Sequence, residues 1–301
     1  MTIETVARDV VQRAPPTPVA AFWRAFSENR GAVVGLIVVC LIVLSGVFAP
    51  LLTSYNPLEQ YRDAVKLPPV WAEGGSWSHV LGTDPLGRDM WARLIFGSRL
   101  SIFIGLSVML VSTVIGVALG LIAARVGGLL DTIILRLMDL IMSIPDLVFA
   151  IMIIAVIGPN LVNTIVAITF VFLPRYVLLV RSAARVELTK DYVTAAKVSG
   201  LRPLRLMLTT VLPNCVAPLM VQAALGVSDA ILEAAGLGFL GLGAQPPAPE
   251  WGSMLADARD LITSAPWVMA MPGLAILITV LAINLMGDGL RDALDPRLRR
   301  S

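Results

Sequence analysis

LSIFIGLSVMLVSTVIGVALGLIAA, running from Leu100 to Ala124, holds no charged residue and is bracketed by Arg99 and Arg125. A helix that crosses a bilayer needs about 20 predominantly apolar residues, and this stretch supplies them. Working outward, five further candidates follow. Ala32–Leu52 is free of charge. Leu137–Gly158 contains Asp139, Pro145 and Asp146, and Asn160–Val180 contains Pro174 and Arg175. Pro213–Gly241 contains Asp229 and Glu233, and Pro266–Gly287 closes the series. The expected fold class is an all-α polytopic membrane protein with six transmembrane helices. Composition agrees. Apolar residues make up 57% of the 301 and charged residues 15%, against about 45–50% and about 25% in soluble domains. A net charge of +2, without aromatics interleaved among the basic residues, argues against nucleic acid as a partner. The lipid bilayer is the expected surrounding.

Six spans place both termini on one side, and the distribution of Lys and Arg names that side. If it is the cytoplasm, the inner segments hold 17 of the 23 basic residues, and five of the remaining six lie in the long Thr53–Arg99 segment. The chain then divides into a cytoplasmic segment 1–31, a first span 32–52 and a periplasmic loop 53–99. A five-helix core 100–290 follows, with an inner connection 183–212 and an outer one 244–265, and then a cytoplasmic tail 291–301. Met1 to Arg30 carries charges of both signs and no A-x-A-like site follows, so the first apolar run is expected to stay in the membrane as an anchor.

Polar residues inside the spans are the first functional candidates. A carboxylate at mid-bilayer costs about 2.5–3.5 kcal/mol on insertion scales, so it faces protein or water. Asp139 and Asp146 are spaced to share one face of a continuous helix, as are Asp229 and Glu233. With Arg175 they form either a polar pathway or gate, or a structural set in which the acids cap broken helices or pair with Arg175. Pro145-Asp146 reads as a helix break with an acid in an N-cap-like place. The glycines of Ala235–Gly243 allow close packing or a re-entrant bend. Trp251–Ile262, after the rigid turn Gln245–Pro249, reads as an amphipathic helix on the outer surface. His79 reads as a surface histidine, and Cys40 and Cys215 as small packing residues. No metal-ligand spacing occurs.

The most specific string lies on the inner side between the fourth and fifth spans: Asp191-Tyr192-Val193-Thr194-Ala195-Ala196-Lys197-Val198-Ser199-Gly200, then Leu201-Arg202 and Leu212-Pro213-Asn214. It resembles the E-A-A, three residues, G, nine residues, I-x-L-P signature of ABC importer permeases. Two alanines make a narrow helical surface able to seat in a groove on another protein, and Gly200 can take the left-handed conformation that ends a helix. Two positions depart from the signature: Thr194 stands where it has glutamate, and Thr210 where it has isoleucine. The family's glutamate implies an ion pair, and Thr194 carries no charge with which to make it.

Further strings resemble one branch of that family, the dipeptide, oligopeptide and nickel importer permeases. They are Leu81–Asp89 with Arg93 and Ser98–Ser101, Gly238–Gly243 with Gln245–Pro247 and Glu250–Gly252, and Asn284–Asp292 through Asp295-Pro296-Arg297. The likeness runs from about residue 20 to the end and is nearest to the second permease subunit of dipeptide importers. It implies a type I importer permease fold in the bacterial inner membrane. Its implied partners are a second homologous permease, two cytoplasmic ATPase subunits and a periplasmic peptide-binding protein. The resemblance gives Asp191, Thr194, Ala195, Ala196, Gly200, Leu201, Arg202, Leu212 and Pro213 to ATPase coupling, and offers Asp84, Gly87, Arg88, Asp89 and Trp251 as periplasmic contacts. Arg88 with Asp84 or Asp89 equally suits a pair that stabilises the loop. No metal or other cofactor is expected in this chain. Lys66, Lys190 and Lys197 never follow glycine, so no phosphate loop is present, and ATP and Mg would bind the partner ATPases. The expected function is a non-catalytic permease subunit moving dipeptides or short peptides by alternating access. Alternatives are the same role with nickel, haem or longer oligopeptides, or a proton-coupled secondary transporter relaying through the intramembrane acids.

Overall fold

A computed structural model describes residues 17–294; positions 1–16 of the expected cytoplasmic segment, and the tail from Asp295-Pro296-Arg297 onward, lie outside the described residues. The described residues form helices and turns, with one isolated bridge between Thr83 and Asp89. A short α1 (Pro18–Glu28) leads into α2 (Arg30–Val47), α3 (Ala49–Leu52) and α4 (Met90–Val126). A bent pair follows, α5 (Gly128–Met142) and α6 (Asp146–Ile157). Then come α7 (Leu161–Leu188), α8 (Asp191–Val198), α9 (Pro203–Phe239), α10 (Trp251–Asp257) and α11 (Pro266–Leu294). Five helices, α2, α4, α7, α9 and α11, are long and apolar enough to cross a membrane, and α5–α6 makes a sixth span if counted as one. An even number of crossings returns the chain to its starting side.

Local chemistry sets the boundaries. Asn29, Asp89 and Asn160 each cap a helix, accepting from Ala32, Ala92 and Asn163 N–H at 3.1, 2.7 and 2.9 Å. An Asx side chain there satisfies a donor that the first turn leaves free. The Asp89 cap starts α4 at Met90 rather than Leu100, so the end of the expected periplasmic loop is helical. Between Met142 and Asp146 the path turns by 95°. Pro145 has no N–H to give and disfavours helix at Ile144. This overturns the shared face for Asp139 and Asp146, which lie on different helices. Asp146 is the first residue of α6, not its cap, and its side chain makes no capping bond. Pro213 likewise withholds an N–H, and α9 widens into a π-turn at Met207–Val211 just before it.

The core forms where α4 lies along α7, the most extensive helix pair. Gly116 and Gly120 permit the approach: a Cβ on Gly120 would sit 2.9 Å from the Cβ of Val180, and one on Gly116 would strike Tyr176. Ile104, Val108, Ile168, Phe172, Tyr176 and Leu237 fill this layer. α2 packs against α11 and the outer half of α4, while α9 joins α4, α7 and α11.

Candidate functional site

The inner elbow follows directly from its sequence. α8 runs Asp191–Val198 and stops because Gly200 takes φ +80°. Gly200 N–H donates to the Lys197 carbonyl at 3.0 Å and Leu201 N–H to the Ala196 carbonyl at 3.2 Å. That pair of bonds is the Schellman closure, which favours glycine. The helix thus ends before Leu201-Arg202, which follow it as non-helical chain. Val193 is its one buried side chain, while Asp191, Thr194, Ala195, Lys197 and Gly200 are exposed. Val198 is 84% exposed. Thr194 Oγ1 reaches only back to the Lys190 carbonyl, at 3.5 Å. Tyr192 donates its hydroxyl to Glu187 of α7, which pushes the phenol up to about 12. Leu201 is half-buried and Arg202 exposed, and Leu212 and Pro213 sit in α9 just past the π-turn.

Inside the spans, four of the five pathway candidates are brought together on α6, α7 and α9. Arg175 donates to Asp146 Oδ2 at 2.5 Å and to Asp229 Oδ2 at 3.4 Å, with its guanidinium 5.0 Å from the centre of the Phe172 ring. Glu233 lies one turn beyond Asp229, and its buried Oε1 finds no hydrogen-bond partner among the described residues. Asp139 does not join them. It is exposed and faces Arg136 at 3.8 Å.

The outer candidates are placed otherwise than expected. Asp84, Gly87, Arg88, Asp89 and Trp251 are all buried in this chain, which corrects their reading as a contact surface. Arg88 Nε donates to Asp84 Oδ2 at 2.5 Å and Arg88 Nη2 to Asp257 Oδ2 at 3.2 Å. Arg93, 2% exposed, adds contacts to Asp84 and Asp257 at 3.6 and 3.7 Å. The alternative of a loop-stabilising pair therefore holds for Arg88 and Asp84. His79 is also buried rather than on the surface, its Nδ1 2.8 Å from Asp89 Oδ2. Trp251 is 2% exposed and donates to the Leu94 carbonyl at 3.0 Å, in a slot where a Cβ on Gly97 would meet its ring at 2.9 Å. Gly252, Ser253 and Met254 are buried with it, so α10 is an inserted helix and not an amphipathic one lying on the surface. Glu250 caps α10, accepting from Gly252 and Ser253 N–H at 2.8 Å each, and burial pushes its carboxyl up against those bonds. Gly238 at the end of α9 lies against Gly252, so the expectation of close packing describes this glycine.

The residue sequence reasoning missed is Asp131 on α5. It accepts from Arg181 and Arg185 of α7. The one local signal was the spacing of Arg181 and Arg185, which puts both on one face of α7.

Spans joined by an ion cluster within the membrane and an inner elbow showing small side chains define a multi-span transport permease. Residues 116–300 match the family described as binding-protein-dependent transport system inner membrane component, and residues 17–69 match the N-terminal TM domain of oligopeptide transport permease C. The chain belongs to the binding-protein-dependent transport family as a non-catalytic membrane component. It is 54% identical to the di/tripeptide transport system permease protein DppC of Pseudomonas aeruginosa, over 95% of this chain and 94% of that one. It is 54% identical to the dipeptide transport system permease protein DppC of Escherichia coli K12, over 95% of each. The Haemophilus influenzae protein of that name is 50% identical, over 95% of this chain and 97% of that one. The fold is also that of a chain in an inward-facing MetNI methionine ABC transporter structure (TM-score 0.57, 20% identity), which covers 68% of this chain and 98% of the other.

Proposed function

We propose that this chain is one of two permease subunits of an ATP-driven importer that carries dipeptides or short peptides across the bacterial inner membrane. The observation that carries this reading is the near full-length likeness to dipeptide permeases. Two features of the fold support it. Arg175, Asp146 and Asp229 have side chains 40–49% exposed although they lie in or beside apolar spans. Charges there are too costly for lipid, so this flank suits a second permease and the water-filled path between the two. The elbow α8 suits a groove on an ATPase: Val193 fixes it from behind while Ala195 and its neighbours stay uncovered.

In the mechanism we infer, two partner ATPases bind ATP and Mg and close on each other. The α8 elbow moves with them, and the spans rock so that the path opens outward to a periplasmic binding protein. Hydrolysis reverses the motion. Within this chain, Arg175 holds Asp146 and Asp229 from α7, so separating α6 or α9 from α7 exposes charge to the path. The test is uptake of a labelled dipeptide by proteoliposomes holding the full assembly. Uptake is expected only with ATP and loaded binding protein. Accumulation by this chain alone under a proton gradient, abolished by Asp229→Asn, would instead favour the proton-coupled mechanism. Nickel, haem or longer peptides in place of dipeptide would revise the cargo and leave the mechanism.

A further inference from the structure

The bent span α5–α6 is tied to α7 at two places, one on each side of its break at Ser143–Pro145, and the ties are unlike. Beyond the break, Asp146 meets Arg175, which is shared with Asp229 and partly open. Before it, Asp131 is 6% exposed and saturated. Arg181 approaches side-on, Nε to Oδ1 at 2.5 Å and Nη2 to Oδ2 at 2.7 Å, and Arg185 Nη2 adds a bond to Oδ2 at 2.5 Å. A two-pronged guanidinium–carboxylate contact fixes direction as well as distance. Around it, Ile134 and Met138 of α5 pack with Leu173 and Val177 of α7.

The flanking segments give this clamp something to do. Upstream, the chain enters α5 through Gly127 and Gly128, both left-handed at φ +65° and +57°, with open space where a Cβ would stand. That corner has no side chain to stiffen it. Downstream, α7 runs from Arg185 to Glu187, which takes the hydroxyl of Tyr192 on α8. An unbroken path of bonded groups therefore joins the elbow to the start of α5, and the helix then leads to the break and the Asp146–Arg175 tie.

We propose that Asp131 is a positioning residue for transport. It makes α5 and the inner end of α7 one body, so that a displacement of α8 reaches the Ser143–Pro145 break rather than being absorbed at the glycine corner. This rests on the ATP-driven reading above.

The test uses the complete transporter in proteoliposomes with loaded binding protein, and reads peptide carried per ATP hydrolysed beside the ATPase rate itself. Asp131→Asn keeps the shape of the side chain and removes its charge. It should lower peptide per ATP about tenfold, within the five- to 150-fold range of ordinary coupling between sites, while ATP hydrolysis continues. Arg185→Gln, which leaves both Arg181 bonds, should lower it about fivefold, at the weak end of that range. Arg181→Gln with Arg185→Gln should match Asp131→Asn, and combining all three should add nothing. If Asp131→Asn does not assemble, Arg185→Gln decides alone. An unchanged ratio in the variants that assemble would overturn the clamp, as would uptake and hydrolysis falling in parallel, the mark of a merely structural role. Absence of ATP-driven uptake in the unaltered assembly would overturn the transport reading and the clamp with it.

Discussion

The outer block around residues 79–93 and 250–257 and the inner elbow at 191–202 both carry charged and polar residues, but they dispose of them in opposite ways. Outside, Asp84, Arg88, Asp89 and Glu250 are buried and bonded to one another or to helix ends within this chain, and the buried Arg93 stands in ion-pair range of Asp84 and Asp257. Inside, Asp191, Thr194 and Lys197 are exposed, and the helix is held by one buried valine and the Tyr192–Glu187 bond. A buried charge must find its partners within the fold, because leaving it unpaired costs more than pairing it returns. The outer block therefore meets most of its charges from within this chain, with Arg93 Nη1 the one guanidinium nitrogen there that is buried without a hydrogen-bond partner among the described residues. The elbow presents an unfinished surface, which suits a part that another protein covers. Breaking the outer block should cost stability first, and altering the elbow should cost function first.

The largest effect should follow from Arg88→Leu. The change removes the guanidinium that hydrogen-bonds Asp84 and Asp257 and leaves the buried Asp84 one cation, Arg93 at 3.6 Å, a loss of about 3–5 kcal/mol on the scale of broken buried pairs. Thermal unfolding of the purified chain in detergent would show it. A midpoint close to that of the parent would mean that the outer block does not support itself.

Glu250→Ala should come next. It removes the cap of α10 and the bond from Ser101, at about 1–2 kcal/mol for a strong cap. The same residue gives a signed pH test. Burial raises its carboxyl above the ordinary 4.5, so the folded state holds the proton more tightly than the unfolded one. Its favourable contribution is full below about 4.5 and is lost as pH rises through the raised value. The stability of the parent relative to Glu250→Gln should therefore fall as pH rises from about 4.5, and a rise would reverse the assigned cause.

At the elbow, Gly200→Leu places a side chain on left-handed backbone at φ +80°, a strain of about 1–2 kcal/mol. The strain is local and exposed, so the unfolding midpoint should fall by no more than a few degrees, the shift that about 1–2 kcal/mol makes. Binding of the ATPase subunits to the reconstituted chain should weaken about tenfold, the factor that about 1.4 kcal/mol makes in a dissociation constant. Tight, unaltered docking would show that the elbow is not the seat.

These contrasts also mark what was legible in the sequence. The spans were, because charge-free runs such as Leu100–Ala124 have few other uses, and so was the break, because Pro145 cannot continue a helix. The start of α4 at Met90 was hidden, since Trp91, Arg93 and Arg99 look like loop residues until Asp89 is seen capping them. Trp251 looked amphipathic because its slot is made by Gly97, far along the chain, and nothing nearby announces it. The Asp131 clamp joins residues some fifty positions apart, and the four-residue spacing of Arg181 and Arg185 on α7 does not say which acid they meet. The acids told where charge sat in the membrane, but only the meeting of α6, α7 and α9 showed that Arg175 takes Asp146 and Asp229 and leaves Asp139 outside.

The smallest expected effect bears on the departure from the family's signature. Thr194→Glu restores the acid at an exposed position near the amino-terminal end of α8, where a negative charge is mildly favoured. An exposed change of this kind should shift stability by no more than about 0.5 kcal/mol. Because the side chain of Thr194 meets only the Lys190 carbonyl, at 3.5 Å, whatever the variant alters must be read in the assembly. A change in ATPase affinity with the unfolding midpoint held would place the threonine in the docking face. A midpoint lowered by much more than that bound would mean the elbow is packed as tightly as the outer block, and the contrast between the two sides of the membrane would fail.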